Sequence, residues 1–160
     1  MTIKVGDRMP SGTMHTMTEN GPAPVSTDEL FKGKKVVLFS VPGAFTPTCS
    51  AKHLPGFVGN YDKLKAKGVD TIACMAVNDA FVMGAWGKDQ KTDGKVTMLA
   101  DGSADYSKKL GLEADFTGYG MGIRGKRFSL LVDDGVVKAV NVDEGEFKAT
   151  SAETMLDQLG

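Results

Sequence analysis

The sequence predicts a single α/β domain spanning residues 1–160, with a central mixed β-sheet flanked by helices on both faces. Short apolar runs rich in β-branched residues alternate with segments of helical periodicity, the pattern of parallel strands joined by helices. Near the end of the chain, two further apolar runs flank the turn 133–135 (Asp-Asp-Gly), a strong signal for an antiparallel hairpin. A chain of 160 residues suits one domain with its own core.

Five segments are predicted as strands, because each is short, apolar and bounded by turn residues. They are 35–41, 69–77, 96–100, 127–132 and 136–142. The first 25 residues are rich in Gly, Pro, Thr and Met, so we expect loops there with a short hairpin at most.

Two longer helices are predicted from apolar spacing. The first covers 48–67 and is expected to kink or break at Pro55, since proline lacks the N–H that a helix interior needs. The second follows Asn78 or Asp79 as its cap. Its apolar face would carry four side chains, those of Phe81, Val82, Ala85 and Trp86.

Three shorter helices complete the prediction. One covers 103–110, and two begin at Ser26 and Thr150, each of which stands three residues before a glutamate in capping-box spacing. The resulting order, β-α-β-α-β-α-β-β-α, is the thioredoxin-like pattern with an insertion before its second half.

Composition narrows the classes of function. The chain has 19 basic and 20 acidic residues, which argues against a broad basic surface for nucleic acid or an anionic membrane. Two cysteines without a CxxC pair predict neither a disulfide scaffold nor a zinc site nor a dithiol centre. The N-terminus lacks the apolar region of a secretory signal, so we expect a cytoplasmic protein, although a chain whose leader had been removed would look the same.

The segment 42–50, PGAFTPTCS, is the strongest candidate for a functional site. A predicted strand ends just before it, and Cys49 falls in the first turn of the predicted helix. Functional groups gather at the carboxyl ends of strands in open α/β sheets, and a helix N-terminus favours a thiolate over a thiol. We expect the hydroxyl of Thr46 to reach that sulfur or a molecule bound beside it, while Pro42 and Pro47 stiffen the loop. The alternative is that Cys49 is a small buried apolar residue and the prolines only shape a turn.

This segment resembles the active-site sequence of peroxiredoxins, which is Pro, three residues, Thr, two residues, Cys. The continuations SAKHLPGF (50–57), VNDAFVMGAW (77–86) and RFSLLVDDGVVKAVNV (127–142) narrow the resemblance to the peroxiredoxin-5 or type II subfamily. The similarity runs from Val5 to near the C-terminus, in order and without a large gap.

The resemblance implies a thioredoxin-like fold and a thiol-dependent peroxidase that reduces hydrogen peroxide and organic hydroperoxides. Cys49 would be the peroxidatic cysteine, Thr46 would donate to the peroxide and orient it, and Pro42 would shield the sulfur. Arg127 would hold the thiolate and polarise the peroxide, while the backbone N–H groups of Gly43 and Cys49 would contact its oxygens.

The resemblance also implies that the oxidised cysteine, a sulfenic acid, is reduced by a second thiol. Glutaredoxin with glutathione, or thioredoxin, would supply that thiol. No metal or organic cofactor is implied, and the subfamily commonly forms homodimers through the active-site end. Phe45 and Phe81 could lie at the mouth of the site or at such a dimer contact.

Arg127 and Cys74 each have two competing interpretations. By sequence alone, Arg127 could belong to an exposed basic turn, with Arg124 as the fallback for its role. Cys74 lies in the apolar run TIACMAV, 25 residues after Cys49, and is either a core thiol or a resolving thiol. Ser151 and its neighbours contain no cysteine, unlike the animal-type members that carry a late resolving cysteine.

Three alternative functions follow from single features. His53, four residues after Cys49, would suit a cysteine–histidine hydrolase, but no orienting third group is evident. The segment 120–125 spells GxGxxG, yet a polar loop precedes it and a strand follows, which is the wrong context for a dinucleotide site. We interpret it as a flexible loop that delivers Arg127. A peroxide sensor or redox-regulated binding protein would use Cys49 in the same way as the enzyme, with turnover incidental.

Overall fold

The computed structural model describes residues 2–144 and 146–160. Among these residues it contains nine strands, which are β1 (Thr13–Thr18), β2 (Gly21–Ser26), β3 (Lys35–Ser40), β4 (Thr71–Ala76), β5 (Thr97–Ala100), β6 (Glu113–Asp115), β7 (Ile123–Gly125), β8 (Arg127–Asp133) and β9 (Val136–Asp143). The α-helices of the same part of the chain are α1 (Thr27–Phe31), α2 (Leu54–Gly59), α3 (Tyr61–Ala66), α4 (Ala80–Asp89), α5 (Asp105–Leu110) and α6 (Ala152–Leu159). A π-helix at Cys49–His53 and a 3₁₀ turn at Thr117–Tyr119 complete the set.

Seven strands form one mixed sheet in the order β2-β1-β5-β4-β3-β8-β9, and β6 pairs with β7 apart from it. Strands β3, β4 and β5 are parallel, whereas β8 is antiparallel to β3 and β9 to β8. The start of β8 therefore lies beside the carboxyl end of β3, with Ser40 opposite Phe128. This topology brings a residue from near position 127 to the loop that follows β3. The central mixed sheet and the thioredoxin-like fold are confirmed.

The sheet separates two apolar cores. Alternate residues of β3 point to opposite faces, so Val37 and Phe39 join one core while Val36 and Leu38 join the other. Helices α2, α3, α4 and α6 cover the first core, and α1 and α5 cover the second. The site described below lies on the first side. None of the helices in the described part of the chain is long and apolar enough to span a membrane.

The predicted helix over 48–67 consists of three helical segments, with the expected break next to Pro55 and a second break, not predicted, at Asn60. Its first turn is a π-helix, in which the N–H of Leu54 donates to the carbonyl of Cys49, five residues earlier. Pro55 has no N–H to give and its ring would clash with the carbonyl four residues before it, so the wider turn precedes it. A second break falls at Asn60, whose side-chain amide donates to the Gly56 carbonyl at 2.7 Å.

The apolar face predicted for α4 is wrong in part. Phe81 and Ala85 are exposed, and the buried side of the helix carries Met83, Trp86 and Gly87 instead. A Cβ on Gly84 would lie 2.8 Å from the Cβ of Met17, and one on Gly87 would crowd Thr92 and Met98. The helix therefore turns its glycines toward the sheet, which lets it approach closely and rotates Phe81 outward.

Candidate active site

Cys49 lies where the prediction placed it, at the first turn after the loop that leaves β3. It begins the π-helix, and its side chain is fully buried in the first apolar core. It is a free thiol. The sulfur is therefore held in a water-poor environment in which each neighbouring charge or dipole acts strongly.

Arg127 provides the positive charge at this sulfur. Its Nη2 donates to the Sγ of Cys49 at 3.1 Å, and only 9% of the residue is exposed. The interpretation of Arg127 as an exposed basic turn is therefore wrong. Since the guanidinium remains charged at any physiological pH, a thiolate at Cys49 has a fixed cation within hydrogen-bond distance.

His53 holds the other side of that guanidinium. Its Nδ1 accepts from Nη1 of Arg127 at 2.7 Å, and its Nε2 donates to the carbonyl of Thr150 at 3.0 Å. An arginine can only donate and a carbonyl can only accept, so the partners fix a neutral imidazole with its proton on Nε2. Burial, and secondarily the charge of Arg127, lowers the pKa of His53 to about 3.

This arrangement disfavours a cysteine–histidine hydrolase. A general base must offer a free ring nitrogen to the thiol proton. Both ring nitrogens of His53 have other partners, and within the described residues the sulfur of Cys49 is hydrogen-bonded to Arg127 alone.

A buried carboxylate anchors the loop that supplies the Thr150 carbonyl. Asp143 accepts from the N–H groups of Lys148, Ala149 and Thr150, and from the Thr150 hydroxyl at 2.7 Å. Burial alone would raise the pKa of Asp143, but these hydrogen bonds lower it below its usual value. A chain of hydrogen bonds thus connects Asp143 through Thr150, His53 and Arg127 to the sulfur. The sequence did not predict Asp143 or Thr150 as site residues, because both lie about a hundred residues from Cys49 along the chain.

Hydrogen bonds fix successive backbone groups of the loop before Cys49. The Thr46 hydroxyl donates to the Gly43 carbonyl at 2.7 Å, and the N–H of Ala44 donates to Oδ1 of Asn78 at 2.9 Å. Because a hydroxyl has one proton, Thr46 can accept from a bound peroxide in this geometry but cannot also donate to it. The predicted donor role of Thr46 would require that bond to Gly43 to break.

Comparison with known proteins places this site in a family. The family model described as Redoxin matches residues 4–156. The chain is 50% identical over 159 residues to peroxiredoxin-2D of Arabidopsis thaliana, covering 98% of both chains. It is 49% identical to reduced Prx3 of Vibrio vulnificus in a crystal structure with H₂O₂, with a TM-score of 0.95 and coverage of 99% and 100%.

The chain belongs to the peroxiredoxin family. A crystal structure of peroxiredoxin 5 from Alvinella pompejana is also similar, at 36% identity, a TM-score of 0.87 and coverage of 98% and 97%. Similarity to peroxiredoxins of the 2 series and to a peroxiredoxin 5 agrees with the predicted type II subfamily. The prediction of a thiol-dependent peroxidase, an oxidoreductase, is confirmed at the level of the family.

The second cysteine of this peroxiredoxin lies in the centre of the sheet. Cys74 is fully buried in β4, paired with Phe39 on one side and Met98 on the other. Burial raises the pKa of the Cys74 thiol well above its ordinary value, and the nearby Cys49 adds to the shift. The group is therefore a protonated thiol at neutral pH, and both cysteines are free. This placement favours the core interpretation over the resolving one.

The remaining predicted residues surround the entrance. Pro42 and Arg127 line a cleft of about 520 Å³, together with Lys52 and Phe147. The ring of Phe147 lies 5.8 Å from the Arg127 guanidinium carbon, a cation–π distance. Arg124 does not replace Arg127: its guanidinium donates to the carbonyls of Met121 and Pro42. The cleft is lined by Pro42 and Arg127 but not by the buried Cys49.

Proposed function

We propose that this peroxiredoxin reduces hydrogen peroxide and organic hydroperoxides through the thiolate of Cys49. The observation that carries the proposal is the 3.1 Å hydrogen bond from Arg127 to a sulfur with no exposed surface. A thiolate is the nucleophile in attack on a peroxide, and a buried one requires a permanent cation beside it.

In the proposed step, the thiolate attacks the nearer peroxide oxygen. A sulfur–oxygen bond forms as the oxygen–oxygen bond breaks, so the sulfur is oxidised by two electrons to a sulfenic acid. The far oxygen leaves as hydroxide or alkoxide and takes up the proton that the thiol had released, giving water or an alcohol. Arg127 and the N–H groups of Gly43 and Cys49 would stabilise the developing charge, and Thr46 would accept from the peroxide O–H.

Re-reduction needs an external thiol, for which glutaredoxin with glutathione, or thioredoxin, would serve. Support comes from Cys74, a fully buried and protonated thiol in β4 between two neighbouring strands, which disfavours it as the resolving thiol. The buried sulfenic acid must likewise become accessible to a protein donor, which requires local opening of the π-helix.

We further propose a homodimer formed through the active-site end. Phe81 is 66% exposed on the first turn of α4, and Phe45 is 52% exposed beside Trp86 of that helix. Large exposed aromatic side chains such as these two favour burial against a second copy. Sedimentation equilibrium of the reduced protein tests this, and a monomer at micromolar concentration would contradict it. A cytoplasmic location stays a prediction.

The first experiment is the intact mass after one equivalent of hydrogen peroxide, with a sulfenic-acid trap present. We expect one trap adduct on the wild type and on Cys74→Ser, and none on Cys49→Ser. An adduct on Cys49→Ser, or no change in the wild type, would contradict the assignment. A loss of two hydrogens without an adduct would instead mean that Cys74 resolves Cys49 in a disulfide.

The second experiment measures peroxide turnover with a glutaredoxin–glutathione system and with a thioredoxin system. Sustained turnover with either one identifies the class of reductant. Oxidation in a single turnover without re-reduction by either system would favour a peroxide sensor that uses the same cysteine.

A further inference from the structure

Phe147 contacts both members of the hydrogen bond between His53 and Arg127. Its ring centroid lies 5.0 Å from that of the imidazole and 5.8 Å from the guanidinium carbon. The hydrogen bond itself, from Nη1 of Arg127 to Nδ1 of His53, is 2.7 Å long. One phenyl ring therefore lies against both partners of the bond that holds the guanidinium beside the sulfur of Cys49.

Phe147 is the most exposed of three phenylalanine rings that lie against the imidazole. The rings of Phe39 and Phe57 lie 4.9 Å and 5.7 Å from it, are stacked on each other at 4.1 Å, and are fully buried. Phe147 is half-buried and lines the same cleft as Arg127. His53 has no exposed surface and does not line that cleft, so the ring of Phe147 separates the imidazole from it.

The contacts of Phe147 differ from those of a core residue. Among the described residues, it is not one of the side chains that pack into either apolar core. Its backbone is held by polar contacts, since Asp143 accepts from the N–H groups of Lys148 and Ala149, which follow it directly. We therefore expect that loss of the ring uncovers the hydrogen-bonded pair without emptying a core or releasing the loop.

A ring at this position affects how firmly the guanidinium is held. The distance of 5.8 Å is near the outer limit for attraction between a cation and an aromatic face, so the direct attraction of the ring for Arg127 is small. Exclusion of water is the larger effect, because a hydrogen bond is electrostatically stronger in a site of low dielectric constant. Without the ring, water from the cleft would compete for both Nη1 of Arg127 and Nδ1 of His53.

We propose that Phe147 is a positioning residue, which keeps water from the hydrogen bond between His53 and Arg127 and so holds the guanidinium at the Cys49 sulfur. It acts through that pair and not on the sulfur itself. The inference rests on the proposed function, since the pair has a part in catalysis only if Cys49 reacts with peroxide. Leucine would preserve the apolar cover, whereas alanine would remove it.

The first test is independent of activity and follows the imidazole of His53 by nitrogen-15 NMR from about pH 7.5 to about pH 4.5. In the wild type the pKa of His53 is about 3, mainly because of burial, so we expect no titration in this range. The charged groups that face the ring, Arg127 from β8 and Asp143 at the end of β9, stay in place when Phe147 is replaced. We expect Phe147→Ala to raise the pKa of His53 into this range, because water then solvates the protonated form, and Phe147→Leu to leave the imidazole neutral.

The second test measures the single-turnover rate constant of Cys49 with hydrogen peroxide at neutral pH. We expect it to fall by at least about tenfold in Phe147→Ala and by less than about threefold in Phe147→Leu. In a His53→Gln background Arg127 has already lost its acceptor, so adding Phe147→Ala should slow the reaction by less than about threefold more. A residue that supported only the fold would lower the rate constant by the same factor in both backgrounds.

Leu30→Ala is the matched control, because Leu30 is also a half-buried apolar residue but packs on the second core, across the sheet from the site. We expect it to change neither the His53 titration nor the rate constant. A His53 that stays neutral in Phe147→Ala would overturn the inference, as would an unchanged rate constant or an equal loss with and without His53→Gln.

The remaining outcomes separate the inference from the proposed function. A Phe147→Leu variant as slow as Phe147→Ala would overturn the exclusion of water as the role of the ring. A wild type without rapid peroxide reduction would overturn the proposed function instead. The NMR titration would in that case still report whether Phe147 covers the pair.

Discussion

The two ring nitrogens of His53 bind different partners, and two substitutions can test each hydrogen bond separately. Asparagine can place an amide oxygen near the position of Nδ1 and accept from Arg127, whereas glutamine can place an amide nitrogen near Nε2 and donate to Thr150. We expect His53→Gln to slow peroxide reduction by at least about tenfold, because the guanidinium loses its anchor, and His53→Asn by less than about threefold. Single-turnover kinetics with hydrogen peroxide measure both.

The relative rates of peroxide reduction in the two variants show which hydrogen bond of His53 matters more. If His53→Asn were the slower of the two, the bond to Thr150 would matter more than the bond to Arg127. If both equalled the wild type, Arg127 would need no support from the imidazole. Circular dichroism and the alkylation rate of Cys49 serve as controls for the fold and the thiolate.

At this scale the sequence predicted the residues that belong to one motif, and missed those that the fold brings in. Cys49 and Thr46 stand three residues apart, so their proximity is visible in the chain. The partnership of His53 with Arg127 is not, because 74 residues separate them. The spacing of four between Cys49 and His53 did indicate a shared helical face, but gave no hint that an arginine would lie between them.

The start of α6 shows how an element depends on one hydroxyl. The sequence predicted Thr150 as its cap, but Ser151 is the capping residue, and its Oγ accepts from the N–H of Thr154 at 3.2 Å. The Thr150 hydroxyl is used instead by Asp143, at 2.7 Å. Capping boxes at neighbouring hydroxyls cannot be separated by sequence, since the choice depends on which side chain the tertiary structure already engages.

We expect Ser151→Ala to lower the free energy of unfolding by about 1 kcal/mol, because an N-terminal N–H of α6 loses its acceptor. Ser26→Ala is the matched control. Ser26 precedes α1 in the corresponding position but makes no side-chain capping bond, so its loss should cost only a few tenths of a kcal/mol, of the order seen at surface sites. Urea titration measures both, and equal midpoints for the two variants would contradict the assignment of the cap.

Hydrophobic patterning and turn residues predicted the bounds of the strands well. They predicted the helices less well where backbone chemistry overrides the hydrophobic pattern. Strand β8 and strand β9 were placed correctly, since Asp134 and Gly135 both adopt the positive φ values that a tight two-residue turn requires. For the helix at 48–67 the break at Pro55 was predicted, but hydrophobic spacing cannot show that the turn before it is a π-helix. That turn is what sets Cys49 and His53 on either side of Arg127.

For the whole molecule, the hydrogen-bond chain from Asp143 to Cys49 makes stability depend on pH. His53 is neutral in the folded protein down to a pKa of about 3, whereas an unfolded chain protonates a histidine near its ordinary value of 6.5. Between these values the unfolded state binds more protons, so stability is present above pH 6.5 and is lost as the pH falls. The loss should approach about 1.4 kcal/mol per pH unit.

The pKa of Asp143 is lowered from 3.8, so its own contribution is lost only below that value, and the two effects act in different pH ranges. Urea midpoints measured from about pH 7.5 to about pH 4.5 therefore report His53 with little contribution from Asp143. We expect His53→Asn, which has no titratable ring, to flatten the slope in this range even if it lowers stability overall. The exposed His15 provides the control, and His15→Asn should retain the slope. A wild-type profile that is flat over this range would mean that His53 is protonated in the folded state, in which case its Nδ1 could not accept from Arg127.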